Sequence, residues 1–171
     1  VLFIFVSNKT AEINLKKEIV NRGINKSRLI FGKKLERAEY LGRLKIADLF
    51  LDTYPYNAGA TSSDALRVGL PVLTRLGNSF ASRMGASILR SINLPELITK
   101  TQKEYELLAI ELATNPNRLK FIKNTLNSNL SSSPLFDTQL FTKNIESAYK
   151  IIYERYHNKQ NQKNIYIDNL E

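Results

Sequence analysis

The stretch DTYPYNAGATSSDALRVGLPVLT, Asp52 to Thr74, sets two tyrosines, a run of small residues and acidic side chains between two apolar segments. Ala58, Gly59 and Ala60 carry little or no side chain, so another molecule can approach their backbone closely. If a strand hands over to a helix here, the first amides of that helix lack intrahelical partners and carry a partial positive charge. An anion, a phosphate above all, fits such a place. Thr61 is then a candidate N-cap, with Ser62 and Ser63 offering hydroxyls in the first turn. The same residues spell T-x-x-D, Thr61 with Asp64, the pattern of a capping box that only starts a helix. Both explanations are open on the residues alone.

A second constellation precedes the first. GKKLERAEYLGRLK, Gly32 to Lys45, sets Lys33, Lys34, Arg37, Arg43 and Lys45 against Glu36 and Glu39. It is part of a formal charge of +9, from 25 basic and 16 acidic residues in a chain of 171. Such a balance suits an acidic partner. The basic residues are interleaved with acids along the whole chain, however, and no nucleic-acid-binding signature is present. No nucleic-acid partner is therefore expected.

Other chemistries are excluded by composition. Without cysteine there is no disulfide framework, thiolate nucleophile or cysteine zinc site. The single histidine, His157, lies in a polar stretch and reads as a solvated surface residue, so a histidine triad or metal cluster is not expected. The apolar start VLFIFVS is too short for a membrane span and has no basic region before it. The chain reads as soluble, non-secreted and cytoplasmic, with no membrane partner.

The elements that would position these residues alternate. VLFIFVS reads as a buried strand, and 11–22 as a helix stopped at Gly23. SRLIF is a second strand, 36–45 a second helix, ADLFLDT a third strand, 62–68 a third helix and LPVLT a fourth strand. A helix over 80–92 follows. Strands alternating with helices at this spacing imply right-handed crossovers and a parallel sheet. From about Leu94 strands are expected to cease. KEYELLAIELATNP and NRLKFIKNTLNSNL read as helices, SSSPLFD as a hinge, and 138–156 as a long helix with Phe141, Ile145, Ala148, Tyr149, Ile152 and Tyr156 along one face. Residues 157–171 read as a loose polar tail. In this layout the small-residue loop leaves the carboxyl end of a parallel strand, where open sheets of this class bind ligands.

From Val1 to about Tyr156 the chain resembles the C-terminal catalytic half of the O-GlcNAc transferase and SPINDLY-like family of glycosyltransferases, of the bacterial type. LDT, SDAL, GLPVLT, FASR, LPELI and SSPLF, in that order, carry the likeness. The resemblance implies the two-domain GT-B architecture, in which two Rossmann-like domains face each other and the C-terminal one holds a nucleotide sugar. It implies transfer of a sugar such as N-acetylglucosamine from a UDP sugar, or alternatively a GDP sugar, to Ser or Thr hydroxyls of an acceptor protein. No metal or other cofactor is implied. Carried over by position, Arg37 stands where a family lysine reaches the nucleotide, Tyr40 where a ring covers the base, and Arg43 where a basic residue lies beside it. Tyrosine can stack on a base. Asn57 matches the family, Thr61 matches a hydroxyl near the diphosphate, and Asp64 matches the acid that holds the ribose hydroxyls. Gly59 and Ala60 depart from the histidine and threonine of many members; with Ser62 they complete the expected nucleotide-sugar site through their backbone. No catalytic base is assigned. On the residues alone, Arg37, Tyr40 and Arg43 also fit a solvated basic helix face, and Arg83 of FASR fits either a diphosphate contact or an exposed position.

The resemblance further implies that a first strand, an N-terminal Rossmann-like domain and, in many members, tetratricopeptide repeats precede the position of Val1. The expectation is thus a partial α/β domain over 1–156, with a helical C-terminal part. Unpaired strand edges would be left, and the Phe141 and Tyr149 face of the long helix exposed. Alone it would be inactive and poorly soluble. The alternative from another class is a non-catalytic module that binds a nucleotide sugar.

Overall fold

A computed structural model describes residues 1–167, and the chain divides into two compact units, Val1–Leu44 and Lys45–Glu171. The expected end of the polar tail, 168–171, lies outside the described residues.

In the first unit, strand β1 (Leu2–Phe5) leads into helix α1 (Lys9–Asn21), whose first turn is capped by Asn8 Oδ1 accepting from the Ala11 amide at 2.7 Å. Gly23, at φ 74°, takes the left-handed conformation that ends this helix. A 3-10 turn at Lys26–Arg28 then feeds strand β2 (Leu29–Gly32), and helix α2 (Arg37–Leu44) closes the unit. β1 and β2 pair in parallel with Leu2 opposite Leu29 and Phe5 opposite Gly32. The expected burial of VLFIFVS is not found. Leu2, Phe3 and Phe5 are each about half exposed, at 47%, 45% and 52%: among the described residues β1 has one strand neighbour, and packing within this unit, such as the Arg43 guanidinium over the Phe3 ring, leaves much of these side chains open.

The second unit holds the larger core. Strand β3 (Phe50–Leu51) pairs in parallel with β4 (Val72–Arg75), which pairs in turn with β5 (Ile98–Thr99). Phe50 stands opposite Val72 and Thr74 opposite Ile98. β5 corrects the expectation that strands cease near Leu94: Pro95 opens a 3-10 turn at Pro95–Leu97, and the two residues after it return to the sheet. Helix α3 (Ala60–Arg67) connects β3 to β4, and α4 (Phe80–Ser91) connects β4 to β5. Leu66, Val72, Leu73, Leu89, Leu94 and Leu97 are at most 1% exposed and form the centre. Full burial of each such side chain contributes about 1.5 to 3 kcal/mol.

Punctuation of these elements is visible in the motifs. After α3, Gly69 at φ 83° lets its amide reach Leu66 O and the Leu70 amide reach Ala65 O, both at 2.9 Å. That double bond pattern, followed by Pro71, explains the GLP triplet. Ser79 and Ser82 form a reciprocal capping box at the start of α4, as Thr101 and Glu104 do at α5 (Gln102–Thr114). Asn115 caps α6 (Pro116–Asn129), with Pro116 in the first turn. In SSPLF, Ser133 Oγ donates to Ser91 O at 2.6 Å, and the Phe136 ring lies 4.5 Å under the Arg67 guanidinium carbon. The expected hinge is a clasp tying the ends of α3 and α4 to the start of α7 (Thr138–His157).

α7 runs as predicted, and none of its described residues is buried. Phe141 is 64% and Tyr149 63% exposed, in line with the expected open face. His157 is exposed, with the Tyr153 ring tilted against it at 4.3 Å and the Tyr156 ring edge-on at 5.7 Å between centroids. Among the described residues no helix is long and apolar enough to cross a membrane.

Candidate functional site

The small-residue loop leaves β3 at Asp52 and enters α3 at Ala60. The helix starts earlier than the T-x-x-D pattern implies. Gly59 is the N-cap and provides no side-chain cap bond, so Thr61 is not the N-cap and no Thr61–Asp64 capping box opens the helix. The physical reason is that Gly59, at φ −99° and ψ −88°, already turns the chain into the first helical residue. The first backbone bond of this turn runs from the Ser63 amide to Gly59 O at 3.1 Å. By helix geometry the amides before Ser63 have no intrahelical acceptor. Thr61 is exposed beside them, Asp64 is half-buried one turn on, and Arg83 is exposed on α4.

Two buried polar atoms in this segment have no hydrogen-bond partner: Asn57 Oδ1 and Ser62 Oγ. Asn57 is 2% and Ser62 0% exposed. Asn57 uses its amide to hold the loop, donating from Nδ2 to Thr53 O at 2.8 Å. Gly59 is not demanded by packing, since a Cβ built there would meet only Met84 Cγ at an ordinary 3.7 Å. An alanine would fit.

The loop rests on a node that the motif reading did not single out. Asp52 is 5% exposed. Its Oδ1 accepts from the Thr53 amide at 2.9 Å and the Ala58 amide at 2.7 Å, and its Oδ2 accepts from Thr74 Oγ1 at 2.6 Å. Burial pushes its carboxyl above the ordinary range, against the downward pull of those bonds. Tyr105 of α5 donates its hydroxyl to Asp52 O at 2.9 Å, and burial, with the Asp52 charge second, raises that phenol to about 12. The signal in the sequence was an acid placed directly after the apolar run LFL.

Further along, Arg75 lies over the Tyr54 ring, 4.0 Å from guanidinium carbon to centroid, and donates to Gln102 Oε1 at 3.1 Å. Tyr54 and Tyr56 are 47% and 76% exposed, so the loop offers two aromatic surfaces to solvent.

Arg37, Tyr40 and Arg43 all lie on α2 of the first unit. Arg43 donates to Lys33 O at 2.8 Å and spreads over the Phe3 ring at 4.9 Å and the Tyr40 ring at 6.0 Å. Its guanidinium braces the tyrosine as well as carrying charge. Tyr40 and Arg43 are half-buried and Arg37 is exposed.

Comparison with known proteins bears on the family and the fold. The model of the family described as Glycosyl transferase family 41 matches residues 1–145. A UDP-N-acetylglucosamine--peptide N-acetylglucosaminyltransferase of Caenorhabditis elegans is 32% identical over 145 residues, covering 85% of this chain and 13% of that protein. The probable SPINDLY transferase of Hordeum vulgare is 33% identical over 118 residues, covering 69% of this chain and 12% of its own length. A solved mutant of the Thermobaculum terrenum O-GlcNAc transferase superposes with a TM-score of 0.83 at 30% identity, over 89% of this chain and 30% of the other. The chain thus spans about an eighth of the length of the curated relatives it matches, 12% and 13% for these two. With its parallel strands, crossover helices and ordered motifs, the chain belongs to glycosyl transferase family 41.

Proposed function

We propose that residues 1–156 form the donor side of a protein glycosyltransferase, holding a nucleoside diphosphate sugar, UDP-linked by preference. The start of α3 carries this reading: an N-cap glycine without a side-chain cap bond leaves the first-turn amides available to a diphosphate. Asn57 Oδ1 and Ser62 Oγ are buried polar atoms with hydrogen-bonding capacity in hand. On the second unit Asp64 accepts from the ribose hydroxyls; on the first unit, taken by itself, Tyr40 offers a ring for a base, Arg43 braces that ring and Arg37 adds positive charge, the roles that the family likeness implies. Gly59, Ala60 and Thr61 line the phosphates, the first two through backbone alone.

The reaction is displacement at the anomeric carbon. The bond from that carbon to an acceptor Ser or Thr oxygen forms, the bond to the diphosphate oxygen breaks, and the diphosphate leaves with the electron pair. The hydroxyl proton passes to a base that we do not assign to a residue of this chain. Helix amides aimed at the departing diphosphate stabilise its growing charge, as an oxyanion hole does. Stabilisation of this kind needs no metal. The acceptor is a protein, and the other half of the cleft is the second Rossmann-like domain of the GT-B arrangement. Gly59 and Ala60, which lack side-chain donors, favour one other reading, a module that binds the nucleotide sugar without turnover.

Calorimetric titration of the chain with UDP, GDP and ADP tests the proposal. Saturable binding of UDP or GDP, with ADP weaker, is expected. Absence of binding by both UDP and GDP to folded protein would refute it.

A further inference from the structure

Asp52 is a costly residue to place near a site for an anion. A buried carboxylate repels a diphosphate, and a neutral residue would avoid that. What a carboxylate does better is accept several donors at once from fixed directions. Its backbone is fixed in the sheet, the Asp52 amide donating to Leu73 O at 3.0 Å. From that anchor Oδ1 gathers the amides of Thr53 and Ala58, so the loop is pinched closed across six positions. Inside the pinch, Thr53 Oγ1 donates to Tyr56 O at 2.6 Å, and Asn57 Nδ2 to Thr53 O. Oδ2 ties the same carboxylate to Thr74 of β4, and Tyr105 of α5 holds its carbonyl. Two residues beyond Ala58, α3 begins.

We infer that Asp52 is a positioning residue for the donor site, a latch that closes loop 53–58 and so fixes where the first amides of α3 point. The inference rests on the proposed donor-binding function. Asp52 touches no reacting atom; it acts through the loop. Its effect falls on the diphosphate and not on the nucleoside, because the amides it orients serve only the phosphates.

The test compares UDP with uridine by calorimetry for the wild type, Asp52→Ala, Asp52→Asn and Thr74→Val, after a melting curve has shown each to be folded. Asp52→Ala is expected to lower the UDP-to-uridine affinity ratio roughly five- to tenfold while uridine affinity holds, because the preset direction of the amides is lost. Asp52→Asn keeps an oxygen for the two amides and a donor that Thr74 Oγ1 can accept from, and should restore most of the ratio. Thr74→Val, which frees one carboxylate oxygen, should lower it about two- to threefold, since one charge-assisted bond is gone. It carries the test if Asp52→Ala does not fold. An unchanged ratio in folded Asp52→Ala or Thr74→Val overturns the latch, and so does an equal loss for UDP and uridine, which is the mark of general loosening. Wild-type protein without preference for UDP would instead overturn the donor-site function, and the latch with it.

Discussion

Gly85→Ala is expected to destabilise the second unit by about 3 kcal/mol, at the upper end for adding one methyl to a packed interior. A Cβ at this position of α4 would stand 2.6 Å from Asp52 Oδ2 and closer still to Thr74 Oγ1. Neither oxygen is the loose end of a flexible chain: each belongs to a buried residue, and the two are hydrogen-bonded to each other at 2.6 Å. The helix must back away or that bond must break, and a buried carboxylate that loses a donor costs about 1 to 3 kcal/mol more than a satisfied one. Gly42→Ala provides the contrast. A Cβ at Gly42, inside α2, would meet nothing within 4 Å, so alanine should stabilise through helix propensity by up to about 1 kcal/mol. Urea unfolding of both variants beside the wild type checks the pair. A Gly85→Ala cost below about 1 kcal/mol would mean that α4 does not press on the Asp52–Thr74 bond.

Asp64→Asn is expected to weaken UDP binding by about tenfold to a hundredfold, the worth of charge-assisted hydrogen bonds to the ribose. The sequence alone left Asp64 divided between helix cap and ligand. With α3 starting at Ala60 behind a Gly59 cap, Asp64 is the fifth helical residue and lies past the capping positions. With no cap to lose, its loss of charge is expected to lower UDP affinity by more than it lowers stability. A melting curve without ligand and a UDP titration, run on both proteins, separate the two. Stability falling while affinity holds would remove Asp64 from the site.

The alternation of elements was legible because each carries its own local signal. Gly23 and Gly69 end helices through positive φ, and serine, threonine, asparagine and aspartate caps start α1, α4, α5, α6 and α7. Where the sequence misled, a non-local or backbone effect decided. The apolar run ADLFLDT yields a ladder of two residues, Phe50 opposite Val72 and Leu51 opposite Leu73, with the Asp52 amide adding one more bond to β4 before the chain turns away. No strand was expected after about Leu94, yet Ile98 and Thr99 join the sheet once Pro95 has turned the chain. The Thr61 cap failed because the glycine two positions earlier needs no side chain to start a helix. Ala58 to Ser63 stood out as candidates by residue type, and Asn57 and the ribose role of Asp64 by the family resemblance; the Asp52 node stood out by neither. Its partners Thr74, Gly85 and Tyr105 lie 22, 33 and 53 positions away, distances over which no spacing rule operates.

The central claim, that the start of α3 receives a diphosphate, is tested most directly by titrating the wild-type chain with uridine and with UDP under identical buffer and salt. The nucleoside reports the base and ribose contacts alone, and the added phosphates report the helix amides. UDP is expected to bind at least about tenfold more tightly than uridine, since charge-assisted hydrogen bonds to the diphosphate are worth roughly 1.5 to 3 kcal/mol or more. Equal affinities for the two would contradict the account.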